Sequence, residues 1–384
     1  MTAPAAARPA APTRPGGLLA RFDELLGRRV SLRSLRLLRI AVGPVVLLHL
    51  RPFLADAWRG TIYRDVFHEP YAGWYPEAPR LVHTGLLGLA VAAALGMTAG
   101  WRTRAATATT FGVVAHNLFL STTHFHNNRA YLVIVLAGLA AAPCGRKLSV
   151  DAWLRRRREL PPLDPRAPAW PLWLLRFEAS TVYGASGLSK LLDADWFGGT
   201  VTWLRMVQVE DRLSASVLPD WAVALLVDRS FHTGAAKAIM LTELFIAFGL
   251  WSRSTRYAAV WVAVGFHVAI QLTARVEVFS MLAIAALVIW AVPSTRDRVI
   301  VVDARRADLR RLMAVVGALD WSARFRVVPA RAGTQLVVVD RDQRVVGGRA
   351  AVAFVPSRLP LTAWFALPVS GCIGRGAART GRAG

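Results

Sequence analysis

Residues 170–200 read WPLWLLRFEASTVYGASGLSKLLDADWFGGT. The stretch begins as an apolar run long enough to cross a bilayer, which takes about 20 helical residues. It carries an internal glutamate, Glu178, a run of small residues, Gly184-Ala185-Ser186-Gly187, and a lysine, Lys190, at its far end. Asp193, Asp195, Trp196 and a Gly-Gly pair follow. An ionisable residue at membrane depth is expensive, so it is a functional-site hypothesis by default. Glu178, Val182, Ser186 and Lys190 share one helix face by steps of four. Glu178 lies about 18 Å from Lys190 along a straight helix, too far to pair with it. A structural role beside Arg176 or against a buried histidine is the expectation for Glu178. The small residues predict close helix packing.

The whole chain fits this reading. Of its 384 residues, 54% are hydrophobic and only 18% are charged. Mean hydropathy is +0.38, high for a water-soluble globule, and there are 14 tryptophans. The predicted class is an α-helical polytopic membrane protein with about eight transmembrane helices. The spans are expected near residues 35–54, 81–99, 105–121, 130–142, 171–191, 235–250, 257–272 and 276–292. The net charge of +23 sits largely in arginines at the ends of apolar runs. That is the pattern of the positive-inside rule, not of nucleic-acid binding. Cys144 and Cys372 are far apart and support neither a disulfide framework nor a zinc site.

Arginine counting orients the spans. With the N-terminal tail inside, Arg102/Arg104, the loop with Arg155 to Arg158, Arg253/Arg256 and Arg296/Arg298 all fall on one face. The expected location is the cell membrane, multi-pass, with both termini cytoplasmic. The 124–129 segment and the 190–199 segment then share the outer face. Residues 1–34 read as a basic tail with an amphipathic stretch (Leu18, Leu19, Phe22, Leu25, Leu26) suited to a membrane surface. Residues 221–227 are too short to span and read as an interfacial or re-entrant piece. After the membrane region (35–293), residues 294–370 read strand, helix, strand and hairpin, a small α/β domain. Residues 371–384 read as a basic disordered tail.

Three motifs carry a resemblance: Asn127-Asn128 with Tyr131-Leu132, Gly187-Leu188-Ser189-Lys190-Leu191 with Leu192-Asp193-Ala194-Asp195-Trp196, and Phe266-His267. Together they resemble the horizontally transferred transmembrane (HTTM) domain family, which includes vitamin K-dependent gamma-carboxylase. The resemblance implies a membrane enzyme that oxygenates a reduced quinone such as vitamin K, and the strong base so formed removes a γ-proton from glutamate before CO2 adds. Matched on the Gly-Leu-x-Lys-Leu motif, the lysine that serves as base is Lys190. The family's Asn-Asn-His-x-Tyr histidine corresponds to Arg129, and the carboxylase's large β-rich domain has no counterpart. The 294–370 segment resembles the thioredoxin-like DCC domains, through Val301-Val302-Asp303, Leu319-Asp320-Trp321 and residues 345–368. The paired cysteines of those domains are missing between Asp303 and Asp320, and no thiol-disulfide reaction runs without a thiolate. The resemblance is therefore to a degenerate copy.

Lys190 is the candidate catalytic residue, with a snorkelling lysine as the plain alternative. In a partly dry pocket a lysine gives up its charge more readily and serves as a base. Arg129, Asn127, Asn128, Tyr131, His267, Glu243, His116, Asp195 and Trp196 are the candidate substrate-binding residues. Arg129 suits an anion such as a carboxylate or bicarbonate. His116, Asn117, Glu243 and His267 are intramembrane polar groups expected to line a polar cavity with Lys190. The histidines at 116, 124, 126 and 267 fit no standard metal spacing, and no metal is expected. Membrane lipid is an expected partner, and a quinone or a secreted peptide is the substrate class implied. The alternative function is a non-catalytic membrane partner in maturation, export or immunity of a secreted peptide.

Overall fold

The structure is a computed structural model that describes residues 17–60, 69, 71–74, 78–252, 254–273, 276, 278–292, 298–303, 305–320, 324–341, 343–359 and 362, without the side chains of His124 and Arg212. The first sixteen residues of the basic tail, residues 61–68, 70 and 75–77 of the 55–80 loop, Trp321, Cys372 and the 371–384 segment lie outside the described residues.

Helices α1 (Leu18–Gly27), α2 (Arg33–Arg59), α3 (Arg80–Ala99), α4 (Thr103–Phe119) and α5 (Asn127–Ala141) follow in order, with strand β1 (Arg29–Ser31) between the first two. Helix α6 (Val150–Arg157) and strand β2 (Arg166–Pro168) lead into α7 (Trp170–Leu192). Four short helices come next: α8 (Ala194–Phe197), α9 (Thr200–Val207), α10 (Glu210–Ser214) and α11 (Asp220–Val227). Then come α12 (Arg229–Gly249), α13 (Arg256–Thr273), α14 (Phe279–Ala286) and α15 (Val288–Ala291). A helix therefore stands at each of the eight expected span positions. Three of them, α2, α3 and α12, are long and apolar enough to cross a membrane, and α5 and the 279–291 segment are apolar but shorter. Helix α7 has the length but not the composition, because Arg176, Glu178 and Lys190 lie within it.

Packing follows the small residues. A Cβ at Gly187 would stand 3.1 Å from the Leu244 side chain and 3.3 Å from Glu243 Cβ, so glycine there lets α7 and α12 approach closely. Ser180 donates to the Ala247 carbonyl at 2.6 Å and accepts from Trp251 Nε1 at 2.7 Å. Arg39, fully buried inside α2, donates to the carbonyls of Met97, Thr98 and Leu148. Met97 and Thr98 lie in the last turn of α3, where Met97 also accepts from Gly100 N, so a charge inside α2 here helps cap a neighbouring helix. Strands β1 and β2 pair antiparallel, Val30 opposite Ala167, which ties the chain before α2 to the chain before α7.

The C-terminal unit contains β3 (Arg298–Val302), α16 (Ala307–Leu319), β4 (Phe325–Pro329), β5 (Val337–Val339), β6 (Val345–Gly347) and α17 (Gly348–Phe354). Strands β3 and β4 are parallel across the α16 crossover, and β5 and β6 are antiparallel, in the order β4-β3-β5-β6. Ile300, Val302, Leu309, Val316, Phe325 and Val338 fill a separate small core. Asp303 accepts from Arg305 N and Gly333 N at 2.9 Å each, which holds its carboxyl below the usual range. At the point where a DCC domain would begin its cysteine motif, this chain has a carboxylate that fastens two loops.

Arg324 docks this unit on the helical domain. Its guanidinium lies 3.8 Å from the Tyr257 ring centre and is only 4% exposed. Nε and Nη2 meet no acceptor among the described residues. Burial, then the like charges of Arg341, Arg358 and Arg256, push its pKa down, so a charge is held here at a cost that a cation–π contact of about 2 kcal/mol offsets only in part. Arg324→Met is therefore expected to hold or raise the thermal midpoint at pH 7.5. A midpoint that falls by several degrees at pH 7.5 would contradict this.

Candidate functional site

The buried face of α7 runs Leu172, Leu175, Arg176, Ala179, Ser180, Tyr183 and Gly187, steps of three and four that aim one stripe at its neighbours. Lys190 continues that stripe one turn further on. Its side chain does not snorkel. Nζ donates to Glu243 Oε1 at 2.6 Å and Oε2 at 2.7 Å, and to Ser186 Oγ at 2.8 Å. Ser186 Oγ in turn donates to Glu243 Oε1 at 3.0 Å. The side chains of Lys190 and Glu243 are 16% and 6% exposed. Trp196 covers the pair, its ring centre 4.9 Å from Nζ, and Arg205 from α9 lies 5.4 Å from the same ring. The result is a three-membered polar unit between α7 and α12, roofed by an indole.

The turn after α7 places that indole. Asp193 Oδ1 accepts from Asp195 N at 2.9 Å and Trp196 N at 3.0 Å, capping the single turn of α8. Gly199 follows with φ +81, and its Cα side faces the backbone of His232 on α12, where a Cβ would stand 2.5 Å from the carbonyl group. Asp193, not the candidate Asp195, therefore does the shaping. Asp195 is exposed in the first turn of α8.

A second polar group lies deeper on the same stripe. The Tyr183 hydroxyl and His267 Nε2 share a hydrogen bond at 2.6 Å, and His267 is fully buried on α13. His267 Nδ1 has no partner among the described residues. Phe279 packs edge-on against His267 at 5.3 Å and against Tyr131 at 6.4 Å. Tyr131 thus reaches this group through an aromatic contact. Tyr183→Phe leaves both ring nitrogens of a buried histidine unpaired, so it is expected to cost about 1–3 kcal/mol. Thermal unfolding in detergent checks this, and Tyr183→Phe/His267→Leu should lose less than the single change, because then neither partner is left unmet.

The remaining candidates are elsewhere. Arg129 lies over the Phe53 ring of α2 at 5.1 Å. Asn128 is buried at the start of α5, where its N–H donates to His126 Nδ1 at 3.2 Å, and Asn127 is exposed. His116 sits near His83, ring centres 6.3 Å apart. The candidates gather at four places: Lys190 with Glu243, Ser186 and Trp196; Tyr183 with His267, within electrostatic reach of Glu243 and Tyr131; Arg129 with Phe53; and His116 with His83. The expected partners of Glu178 are corrected. Arg176 donates both Nε and Nη2 to the Ile289 carbonyl, at 3.1 and 2.8 Å. Glu178 has no hydrogen bond or ion pair among the described residues. Residues two apart on a helix point to different faces, which is why the two do not meet.

Depth along the bundle can still be compared. Tyr131 near the start of α5 connects through Phe279 and His267 to Tyr183, late in α7, while Gly138 faces Leu175, early in α7. The two helices run in opposite directions, so the 127–129 segment and Lys190 share one end of the bundle. Among the described residues no three His, Cys, Asp or Glu side chains are grouped to hold a metal ion. Ser186, Tyr183, Asp193 and Arg205 were not among the candidates. Two of them were within reach, since Ser186 and Tyr183 lie four and seven residues before Lys190 on one face.

Apolar helices of spanning length, with a buried ion pair between two of the bundle's helices, define a helical membrane protein. A scan against protein families matches residues 28–294 to the HTTM domain, and the chain belongs to that family. No curated protein and no solved structure matches the chain. The family includes membrane proteins related to vitamin K-dependent carboxylase.

Proposed function

We propose that the chain is a multi-pass membrane enzyme of the carboxylase-like class that uses Lys190 and Glu243 to activate a reduced quinone or similar lipid-soluble hydroxyl compound for oxygenation. The observation that carries this is the Lys190–Glu243–Ser186 unit, held at one end of the bundle under Trp196. A lysine bound by both carboxylate oxygens has no lone pair to offer. Glu243, 2.6 Å from Nζ, is the group placed to take the proton that Lys190 must give up before it can act as a base. Lys190 then accepts a proton from the substrate hydroxyl, and the resulting anion, not the protein, meets oxygen. The indole of Trp196, with the Lys190 and Arg205 cations against its ring, closes the site, and the unpartnered Nδ1 of His267 is a further buried polar group beside the same stripe.

Eight crossings, with the Lys190 end outside and both termini in the cytoplasm, complete the reading. Its support is the arginine distribution and the shared end of Lys190 and the 127–129 segment. Arg129, in place of the family's histidine, favours oxygenation without carboxylation. The C-terminal unit is read as a docking module of the DCC kind that has lost its thiols. Oxygen uptake on adding reduced quinone to the detergent-purified protein tests the activity, with uptake above quinone autoxidation expected. No uptake by the wild type would leave the ion pair as a structural clamp in a non-catalytic partner protein. Engineered cysteines at positions 127 and 192 test the topology. Labelling of either from the cytoplasmic side would overturn it.

A further inference from the structure

The opposite end of the bundle carries a concave site that this reading leaves unused. Residues 145–147, α6 and the returning 160–163 segment enclose a cavity of about 400 Å³. Five cations line it: Arg146, Lys147, Arg155, Arg156 and Arg158. Its one carboxylate, Asp151, already accepts from Arg102 N, Thr103 N and Thr103 Oγ1 at 2.7, 2.8 and 2.7 Å. Arg146 donates to the carbonyls of Asp164 and Arg166, and Arg155 to that of Pro161, which folds the return segment over α6. The side chains of Lys147, Arg156 and Arg158 form no hydrogen bond or ion pair among the described residues, so three cations at the cavity are uncommitted.

The walls are fixed before any ligand arrives. Ser149 caps α6 through Ala152 N and donates to the Gly145 carbonyl. Asp151 N donates to the Gly100 carbonyl at 2.9 Å, and buried Arg39 grips the Leu148 carbonyl at 2.6 Å. Leu148 and Glu159, at the two ends of α6, have φ of 52 and 54. Side-chain-bearing residues rarely adopt that conformation without an enforcing structure. The rest of the lining is apolar: Leu154, Leu160 and Leu163, the last two about half exposed. Trp101 and Trp153 are exposed at the same end, Trp153 beneath Arg157. Aromatic side chains of that kind mark the membrane–water interface.

We propose that this pocket binds the phosphate headgroup of an anionic phospholipid. Arginine and lysine groups left unpaired in a preformed cavity match a phosphate ester. The leucine wall matches the glycerol and first methylenes of an acyl chain, which free phosphate lacks. Arginine-rich pockets beside a membrane surface gain further from the negative potential of the lipid.

The test uses the full-length chain in a neutral detergent, titrated with short-chain phosphatidylglycerol, short-chain phosphatidylcholine or inorganic phosphate, and read by thermal unfolding. Phosphatidylglycerol is expected to raise the midpoint by about 3 °C or more, and the other two not to. Lys147→Gln/Arg156→Gln/Arg158→Gln, all exposed positions, is expected to match the wild type without lipid and to lose most of the rise. Arg305→Gln/Arg310→Gln/Arg311→Gln, the same loss of charge at exposed positions elsewhere, is expected to keep it. An equal rise with phosphatidylcholine or with phosphate alone would overturn the proposal, as would an undiminished rise in the triple variant.

Discussion

Replacing Glu243 by leucine is expected to destabilise the helical domain by about 3–5 kcal/mol, the usual result of removing one partner of a buried pair. Lys190 would be left 16% exposed with only Ser186 and the Trp196 face as company. Replacing Lys190 by methionine in the same chain is expected to return most of that loss. Neither charge then remains buried, and methionine fills the space of the lysine stem against α12. The double change thus separates two roles. It keeps the fold and removes the chemistry, whereas each single change harms both. Thermal or denaturant unfolding in detergent gives the three midpoints. A double variant no more stable than Glu243→Leu would mean that the pair is not the energetic unit its geometry implies.

The second large effect is expected at Gly199. It combines a left-handed φ of +81 with a Cβ position 2.5 Å from the His232 carbonyl group. Neither a backbone shift nor a rotamer change relieves both, because the neighbour is backbone and not the end of a flexible side chain. Gly199→Ala should therefore move α9 away from α12 and with it Arg205 and the roof over Lys190. About 2 kcal/mol or more is expected, at the upper end for a single residue. Gly198→Ala is the control. Its φ of −76 is ordinary and its nearest contact is 3.1 Å from a carbonyl oxygen, so the change should be small. Trp fluorescence and thermal unfolding report both, and equal effects at the two glycines would contradict the account.

The helices were legible in the sequence because apolar run length is a strong signal. All eight fall where hydropathy places them, and their ends shift by a few residues. What length alone cannot supply is the facing of each helix. Glu243 was visible as a polar group in a span, but its partner Lys190 is 53 residues away, and only the packing of α7 on α12 brings them together. Ser186 was legible by its spacing from Lys190, whereas the Tyr183–His267 bond was not, since it depends on the placing of α13. Arg129 and Glu178 were read for charge. Their surroundings are set by neighbouring helices: Phe53 of α2 takes the first, and Arg176 turns to a backbone carbonyl instead of the second. Arg39 teaches the same point. It is a charge inside an apolar helix, and in the fold it grips the last turn of a neighbouring one.

The most direct test of the central claim is chemical rescue of a missing base. Lys190→Ala should lose reduced-quinone-dependent oxygen uptake, and small primary amines added to it should restore part of the rate, more so for the more basic amines of equal size. The same amines should do nothing for a Glu243→Gln variant that retains Lys190. Restored uptake in the first and none in the second is the predicted result. An active wild type whose Lys190→Ala variant is equally active, or unfolds like the wild type in detergent yet is inactive and untouched by every amine, would contradict Lys190 as the base.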